Sequence, residues 1–153
     1  NQLLTQQMQE VSGLPSITMS TAIIEGLKEV NTKRVSAATA YNDEVNFRLN
    51  SFLTEHGFDV LNIQGLGIEA IADIAMVTQA QLLDFGVEVF NSVEGADSIL
   101  VSCGGLITLD ILAPLEAMTH VPAISSTPHS LLAGAKLLGM STNISGYGSL
   151  IAG

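Results

Sequence analysis

Two apolar rhythms take turns along this chain. Short runs with β-branched residues and almost no charge read as strands: Arg34 to Ala40 (RVSAATA), Asp59 to Leu66 (DVLNIQGL), Ser98 to Ser102 (SILVS) and Val121 to Ser125 (VPAIS). Pro15 to Met19 reads as one more short strand. Between them, apolar residues recur every three or four positions, the period of a helix with one buried face. Leu3, Leu4, Met8 and Val11 mark a helix over residues 1–12, ended by Gly13. Ser20 or Thr21 caps a second, through Val30, with Ile23, Ile24 and Leu27 as its stripe. Asn42 or Asp43 caps a third, to His56, carrying Val45, Leu49, Phe52 and Leu53; Gly57 closes it.

A short helix or turn covers 68–76, and Thr78 caps a helix from Gln79 to about Val93. Further helices run from Thr108 to about Met118 and from Pro128 through Leu138. Strands that alternate with helices of this length imply βαβ units. The expected fold is therefore α/β: a doubly wound, flavodoxin-like parallel sheet, whose strands lack charge because helices cover both faces. The expected organisation is a linking helix and strand over 1–20, an α/β domain over 21–138, and a Gly-, Ser- and Asn-rich tail over 139–153.

Composition changes this picture in one respect. The 153 residues suit one domain, but only 13% are charged while 47% are hydrophobic, against roughly 25% charged in an average soluble domain. So apolar a surface is expected to pack against something else, a second subunit or a further domain. The chain also opens at Asn1 inside a helical pattern, which leads us to expect a preceding N-terminal domain in the same protein.

Charge excludes whole classes of partner. Fifteen acidic and five basic residues give a formal charge of −10, and nothing here neutralises a row of phosphates, so nucleic acid is not an expected partner. The uncharged stretch 117–135 is broken by His120, Pro122, Pro128, His129 and several hydroxyl residues, so no membrane span is expected. One cysteine, Cys103, makes no disulfide within the chain and fits a reducing cytoplasm. His56, His120 and His129 lack metal-ligand spacing, and Gly65-x-Gly67 lacks the third glycine of a dinucleotide loop, so neither a metal nor a dinucleotide site is expected.

In doubly wound sheets ligands bind beyond the carboxyl ends of the strands. The ends offer Ser20-Thr21, Ala40-Tyr41-Asn42, Gly65-Leu66-Gly67, Cys103-Gly104-Gly105 and Ser125-Ser126-Thr127. A thiol followed by two glycines and a helix lies beside bare amides that a ligand carboxylate can approach. The same pattern also suits a small buried residue at a tight turn. Tyr41 ends a strand and either points its hydroxyl into the crevice or serves as a core tyrosine. Ile68 and Ile71 are candidates for an apolar pocket wall. His129, at a helix start, is the histidine placed to face the crevice, and Asp110 suits the first turn of the helix after the cysteine. With so few cations, an anionic substrate would be held by amides and hydroxyls, donors that also stabilise an enediolate.

These residues carry a resemblance. The run Ser102-Cys103-Gly104-Gly105-Leu106-Ile107-Thr108-Leu109-Asp110 resembles the catalytic cysteine segment of the arylmalonate decarboxylases. Gly13-Leu14-Pro15 through Met19-Ser20-Thr21-Ala22, Ala38-Thr39-Ala40-Tyr41 through Val45-Asn46, and Gly146-Tyr147-Gly148 are similar to the same family, in its order and spacing. The family belongs to the Asp/Glu racemase superfamily, with maleate cis-trans isomerases as relatives. The resemblance implies two similar α/β domains with the site between them, and cofactor-free decarboxylation of a substituted malonate.

In that scheme an enediolate is held by hydrogen-bond donors and protonated by a cysteine. Cys103 matches the proton-donating cysteine, Gly104 the neighbouring amide donor with Gly105 beside it, and Tyr41 the tyrosine of the donor set. The family's Gly-Thr-Ser-type stretch has no counterpart here, and Pro128-His129-Ser130 departs from the decarboxylase pattern. The implied partners are a small carboxylate or dicarboxylate, an N-terminal domain and a possible homo-oligomer. The competing readings are a maleate isomerase or an amino-acid or hydantoin racemase, and, outside enzymes, a module that binds a small anion.

Overall fold

The computed structural model describes residues 1–152. Four strands form one all-parallel sheet: β1 (Arg34–Thr39), β2 (Asp59–Gly65), β3 (Ser98–Ser102) and β4 (Ala123–Ser125), in the order β2-β1-β3-β4. The chain winds outward from β1 to β2, crosses back to β3, and continues to β4. This is the flavodoxin-like order, and the α/β expectation holds. Helices α1 (Gln2–Ser12), α2 (Met19–Glu29), α3 (Asp43–Glu55), α4 (Ile71–Ile74), α5 (Gln79–Asn91), α6 (Leu112–Thr119), α7 (Ser126–Leu137) and α8 (Ser149–Ala152) complete it.

The two faces of the sheet bury different helices. On one, Ile23, Ile24 and Leu27 of α2 and Leu53 of α3 pack with Val35, Ala37, Leu100 and Ile124. On the other, Leu82 of α5 and Leu112 and Leu115 of α6 pack with Ile99, Val101 and Ala123. Successive residues of a strand point to opposite faces. Ile99, Val101 and Cys103 accordingly share the α5–α6 side, whereas Leu100 faces α2 and α3. All five residues of β3 are buried, which explains why that run contains no charge.

Three local expectations need correction. Pro15 to Met19 is not a strand: Met19 already belongs to α2, and Thr18 is the N-cap, its hydroxyl accepting the Thr21 amide at 3.1 Å. The cap is thus Thr18, not Ser20 or Thr21. The helix expected from Thr108 begins as a 3₁₀ turn at Leu109–Ile111, because the Thr108 hydroxyl is engaged with Ser125 Oγ at 2.6 Å and caps nothing. Helix α7 starts at Ser126, two residues before Pro128; proline is tolerated there because first-turn amides have no partner within the helix.

Other boundaries agree with their signals. Asn42 caps α3, Thr78 and Gln81 form a reciprocal capping box on α5, and Gly13 ends α1 in the left-handed conformation at φ 68°. Helix α1 buries none of its residues and leaves Leu3, Leu4 and Val11 exposed. The tail is anchored: Ile151 is buried in the core that contains Cys103, and Glu116 accepts the amide and hydroxyl of Ser149, each at 2.8 Å. Gly153, the last residue of the expected tail, lies outside the described residues. Among the described residues no helix is long and apolar enough to cross a membrane.

Candidate active site

Sheet order reverses between β1 and β3. Their connections leave toward opposite faces, which makes the carboxyl ends of these two strands the topological switch point, where such sheets bind ligands. Thr39, the last residue of β1, pairs with Ser102, the last of β3. Tyr41 leaves the first strand two residues on, and Cys103 leaves the second at once. Both therefore come to the mouth of one crevice from adjacent strands.

Tyr41 is held from its backbone. Its amide donates to Thr39 Oγ1 at 3.2 Å, and that hydroxyl donates to Asn46 Oδ1 at 2.7 Å. Segment 66–68 straps the strand end: Leu66 donates to the Thr39 carbonyl, Gly67 to that of Tyr41 and Ile68 to that of Ala40, at 2.9–3.2 Å. Gly65 has no side chain because a β carbon there would strike the Tyr41 carbonyl. The phenol oxygen lies 3.4 Å from Ser102 Oγ, which lies 3.1 Å from Ser126 Oγ. Burial raises the Tyr41 pKa above its usual 10.0; the Ser102 hydrogen bond pulls it down and the Cys103 thiol adds to the rise. Tyr41 therefore keeps its proton at neutral pH and remains able to donate it.

Cys103 is 6% exposed and belongs to the core cluster that includes Leu106 and Val101, against which Tyr41, Ile68 and Ile74 pack half-buried. Its carbonyl accepts the Leu106 amide at 3.2 Å, closing a turn through Gly104 and Gly105, both exposed. A β carbon on Gly105 would sit 3.0 Å from Ile74 Cγ2. The Thr127 hydroxyl donates to the Gly104 carbonyl at 3.3 Å. Behind this turn, Leu106 to Leu109 and α7 line an apolar cavity of about 540 Å³, which Cys103 does not line.

The structure thus brings Cys103, Gly104 and Gly105, after β3, and Tyr41, with Ile68 strapped to Ala40 beside it, to the carboxyl ends of two neighbouring strands. Ile71 is not gathered with them: it is 84% exposed at the start of α4, and Ile74 is the α4 residue that packs on the cysteine's cluster. His129, the histidine that a helix start could have turned to the crevice, instead takes the structural role that its type more often has. Its ring is 2% exposed between α2 and α7, with Nδ1 2.9 Å from both the amide and the carbonyl of Ser125. There it lines a separate cavity of about 190 Å³ with Gly26, Glu29 and Lys136.

His56 closes α3 with Nδ1 2.7 Å from the Phe52 carbonyl, and His120 ends α6 at φ 59°. Asp110 accepts from Gln79 Nε2 at 2.8 Å. Among the described residues no three His, Cys, Asp or Glu side chains converge as a metal site. Reading the sequence missed Thr39, Asn46, Gly65, Ser102 and Ser126 as supports of Tyr41. The one available signal was their polarity or smallness at the ends of otherwise apolar strands.

Comparison with known proteins adds identity to this geometry. The family model described as arylmalonate decarboxylase matches residues 1–151. Arylmalonate decarboxylase from Bordetella bronchiseptica is 41% identical over 151 residues, 98% of this chain and 63% of its own length. A crystal structure of arylmalonate decarboxylase superposes with a TM-score of 0.92 at 41% identity, covering 99% of this chain and 67% of that one. A maleate isomerase structure from Pseudomonas putida shares the fold at TM-score 0.90 and 22% identity, over 99% of this chain and 63% of that one. The chain spans about 63% of the length of the curated relative it matches, and on the family match along nearly all of its own length it belongs to the arylmalonate decarboxylase family.

Proposed function

We propose that this chain carries the cysteine-bearing part of a cofactor-independent decarboxylase acting on a substituted, aryl-bearing malonate. The bond from the α carbon to one carboxylate breaks and CO₂ leaves. The electron pair spreads onto the remaining carboxylate as an enediolate. Its oxygens accept from the Gly104 and Gly105 amides and from the Tyr41 hydroxyl, fixed donors that replace water around the developing charge. Cys103 then gives its S–H proton to the α carbon, and solvent restores the thiol. Ile68 and Ile74, which pack against the cluster that holds Cys103, offer an apolar wall that disfavours the departing carboxylate over neutral CO₂, and the exposed Ile71 takes no part.

The observation that carries this reading is the arrival of a thiol and a phenol, from neighbouring strands, at the switch point of the sheet. The 41% identity to a protein named arylmalonate decarboxylase supports the substrate class. The share of that relative's length left unmatched supports a further domain that closes the crevice. A single free thiol suits a reducing cytoplasm as the place of work.

The test is CO₂ release from phenylmalonate by the full-length protein. We expect release, and a fall in kcat of about 10²–10⁴-fold in Cys103→Ser, because a hydroxyl is a much weaker acid than a thiol. Undiminished turnover in that variant removes Cys103 from the chemistry. A relative 26% identical over 91% of this chain is named maleate isomerase, which supports a second reading. Formation of fumarate from maleate, with no CO₂ from phenylmalonate, would select it.

A further inference from the structure

The hydroxyls of Tyr41, Ser102 and Ser126 form an unbranched chain, with oxygens 3.4 Å and 3.1 Å apart. Ser102 is 3% exposed and Ser126 wholly buried. Each hydroxyl has one hydrogen to donate. Among the described residues Ser126 Oγ has no hydrogen-bond neighbour except Ser102 Oγ. If the hydrogens ran inward, from Tyr41 to Ser102 to Ser126, the Ser126 hydrogen would end in a dry interior with no acceptor. If Tyr41 and Ser126 both pointed at Ser102, the Ser102 hydrogen would be stranded instead. An unmade buried hydrogen bond is the costly case. One direction strands nothing: Ser126 donates to Ser102, Ser102 donates to Tyr41, and the Tyr41 hydrogen alone is left over, at the crevice.

We infer that Ser126 and Ser102 are positioning residues: by fixing the direction of this hydroxyl chain they keep the Tyr41 O–H aimed at the substrate oxyanion. The inference rests on the decarboxylase reading for its consequence but not for its geometry. A phenol committed inward would have to turn before it met the enediolate, and would give up its bond to Ser102 when it did. A phenol that already accepts from Ser102 is a stronger donor, because hydrogen bonds in a chain polarise one another. The start of α7 thereby reaches the chemistry through two side chains, although neither serine touches substrate.

Two measurements test this separately from the reading it deepens. These 153 residues hold two tyrosines and no tryptophan, so Tyr147→Phe leaves Tyr41 as their single tyrosine, and the difference spectrum against Tyr41→Phe isolates its signal from tyrosines of any further domain. The Raman doublet of a phenol distinguishes an oxygen that accepts a hydrogen bond from one that only donates. In the ligand-free protein, Ser102→Ala should move the doublet ratio toward the donor-only value, because an accepted bond is lost. Movement the opposite way, or none, overturns the inference whether or not the protein decarboxylates anything.

In turnover of phenylmalonate, Ser126→Ala should lower kcat about tenfold with KM little changed, and Ser126→Thr should restore most of the loss. In a Tyr41→Phe background Ser126→Ala should cost nothing further, since the two act as one unit. An equal loss in both backgrounds would make Ser126 merely structural. Absence of CO₂ release from the unaltered protein would instead defeat the decarboxylase reading and leave the Raman result standing.

Discussion

Thr39 Oγ1 donates to Asn46 Oδ1 across 2.7 Å while accepting the Tyr41 amide at 3.2 Å, so one buried hydroxyl ties the end of β1 to the first turns of α3. Both side chains are buried, at 0% and 7% exposure. The turn that carries Tyr41 into the crevice is thus set by a side chain two residues earlier and another five residues later.

Removing the acceptor should therefore cost both stability and aim. Asn46→Ala leaves the Thr39 hydroxyl donating to nothing, a penalty of about 1–3 kcal/mol. Chemical denaturation should show that loss. Turnover of phenylmalonate should fall at temperatures where the variant is still fully folded. A variant with lower stability and unchanged kcat would confine Asn46 to the fold.

Gly65 imposes a steric condition on the same turn. An added methyl at Gly65 meets the backbone carbonyl of Tyr41 and the side-chain amide of Asn46 together, and the second is held in place by the Thr39 hydroxyl. Gly65→Ala should destabilise by about 1–3 kcal/mol, the usual cost of overpacking. The same change at Gly67 is a control of a different kind: space is open there, but φ is +64°, so only backbone strain is felt. Thermal melts of the two variants separate contact from conformation, with the larger loss expected at Gly65.

Much of this architecture was legible because local signals and tertiary demand agree. Past the exposed Arg34 of β1, the uncharged runs of β1 and β3 are buried on both faces, and Asn42 and Thr78 cap the helices they announce. The turn after β3 was legible because paired glycines following an apolar run break a strand, whichever use the cysteine has. What stayed hidden depends on partners distant in sequence. Pro15 to Met19 has strand composition, but a hydroxyl at Thr18 draws Met19 into a helix. His129 has the position of a crevice residue, yet its ring turns to the unpaired edge of β4. Ser102 and Ser126 are 24 residues apart, and no periodicity records that their hydroxyls meet.

The tail gives a prediction about anchoring. Glu116 accepts the Ala123 amide at 3.0 Å with the same carboxylate that holds the amide and hydroxyl of Ser149. It fastens the end of the chain to the entrance of β4. Glu116→Ala should cost roughly 1.5–3 kcal/mol, as expected for hydrogen bonds to a charged group. Hydrogen exchange localises the effect: the Ile144 amide, bonded to the Ile151 carbonyl at 2.9 Å, should lose protection first. Unchanged protection there would mean that burial of Ile151 alone secures the tail.

The buried histidine gives a pH dependence whose sign can be worked out. Burial lowers the His129 pKa below its ordinary 6.5; the Ser125 backbone and the Glu116 and Glu29 carboxylates oppose that shift, and Lys136 reinforces it. Below 6.5 the unfolded chain protonates this imidazole while the folded protein does not. The unfolded state then binds more protons, so stability rises with pH in this window. The contribution is complete above 6.5 and is lost as pH falls through that value toward the lower folded pKa.

His129→Leu removes this linkage and leaves the Ser125 amide without its acceptor, so the variant should be less stable at neutral pH by about 1–3 kcal/mol. On acidification from about pH 7.5 to about pH 5 its stability should fall less steeply than that of the unaltered protein. Urea midpoints at each pH decide the matter, because parallel curves for the two proteins would show that the ring protonates as readily folded as unfolded.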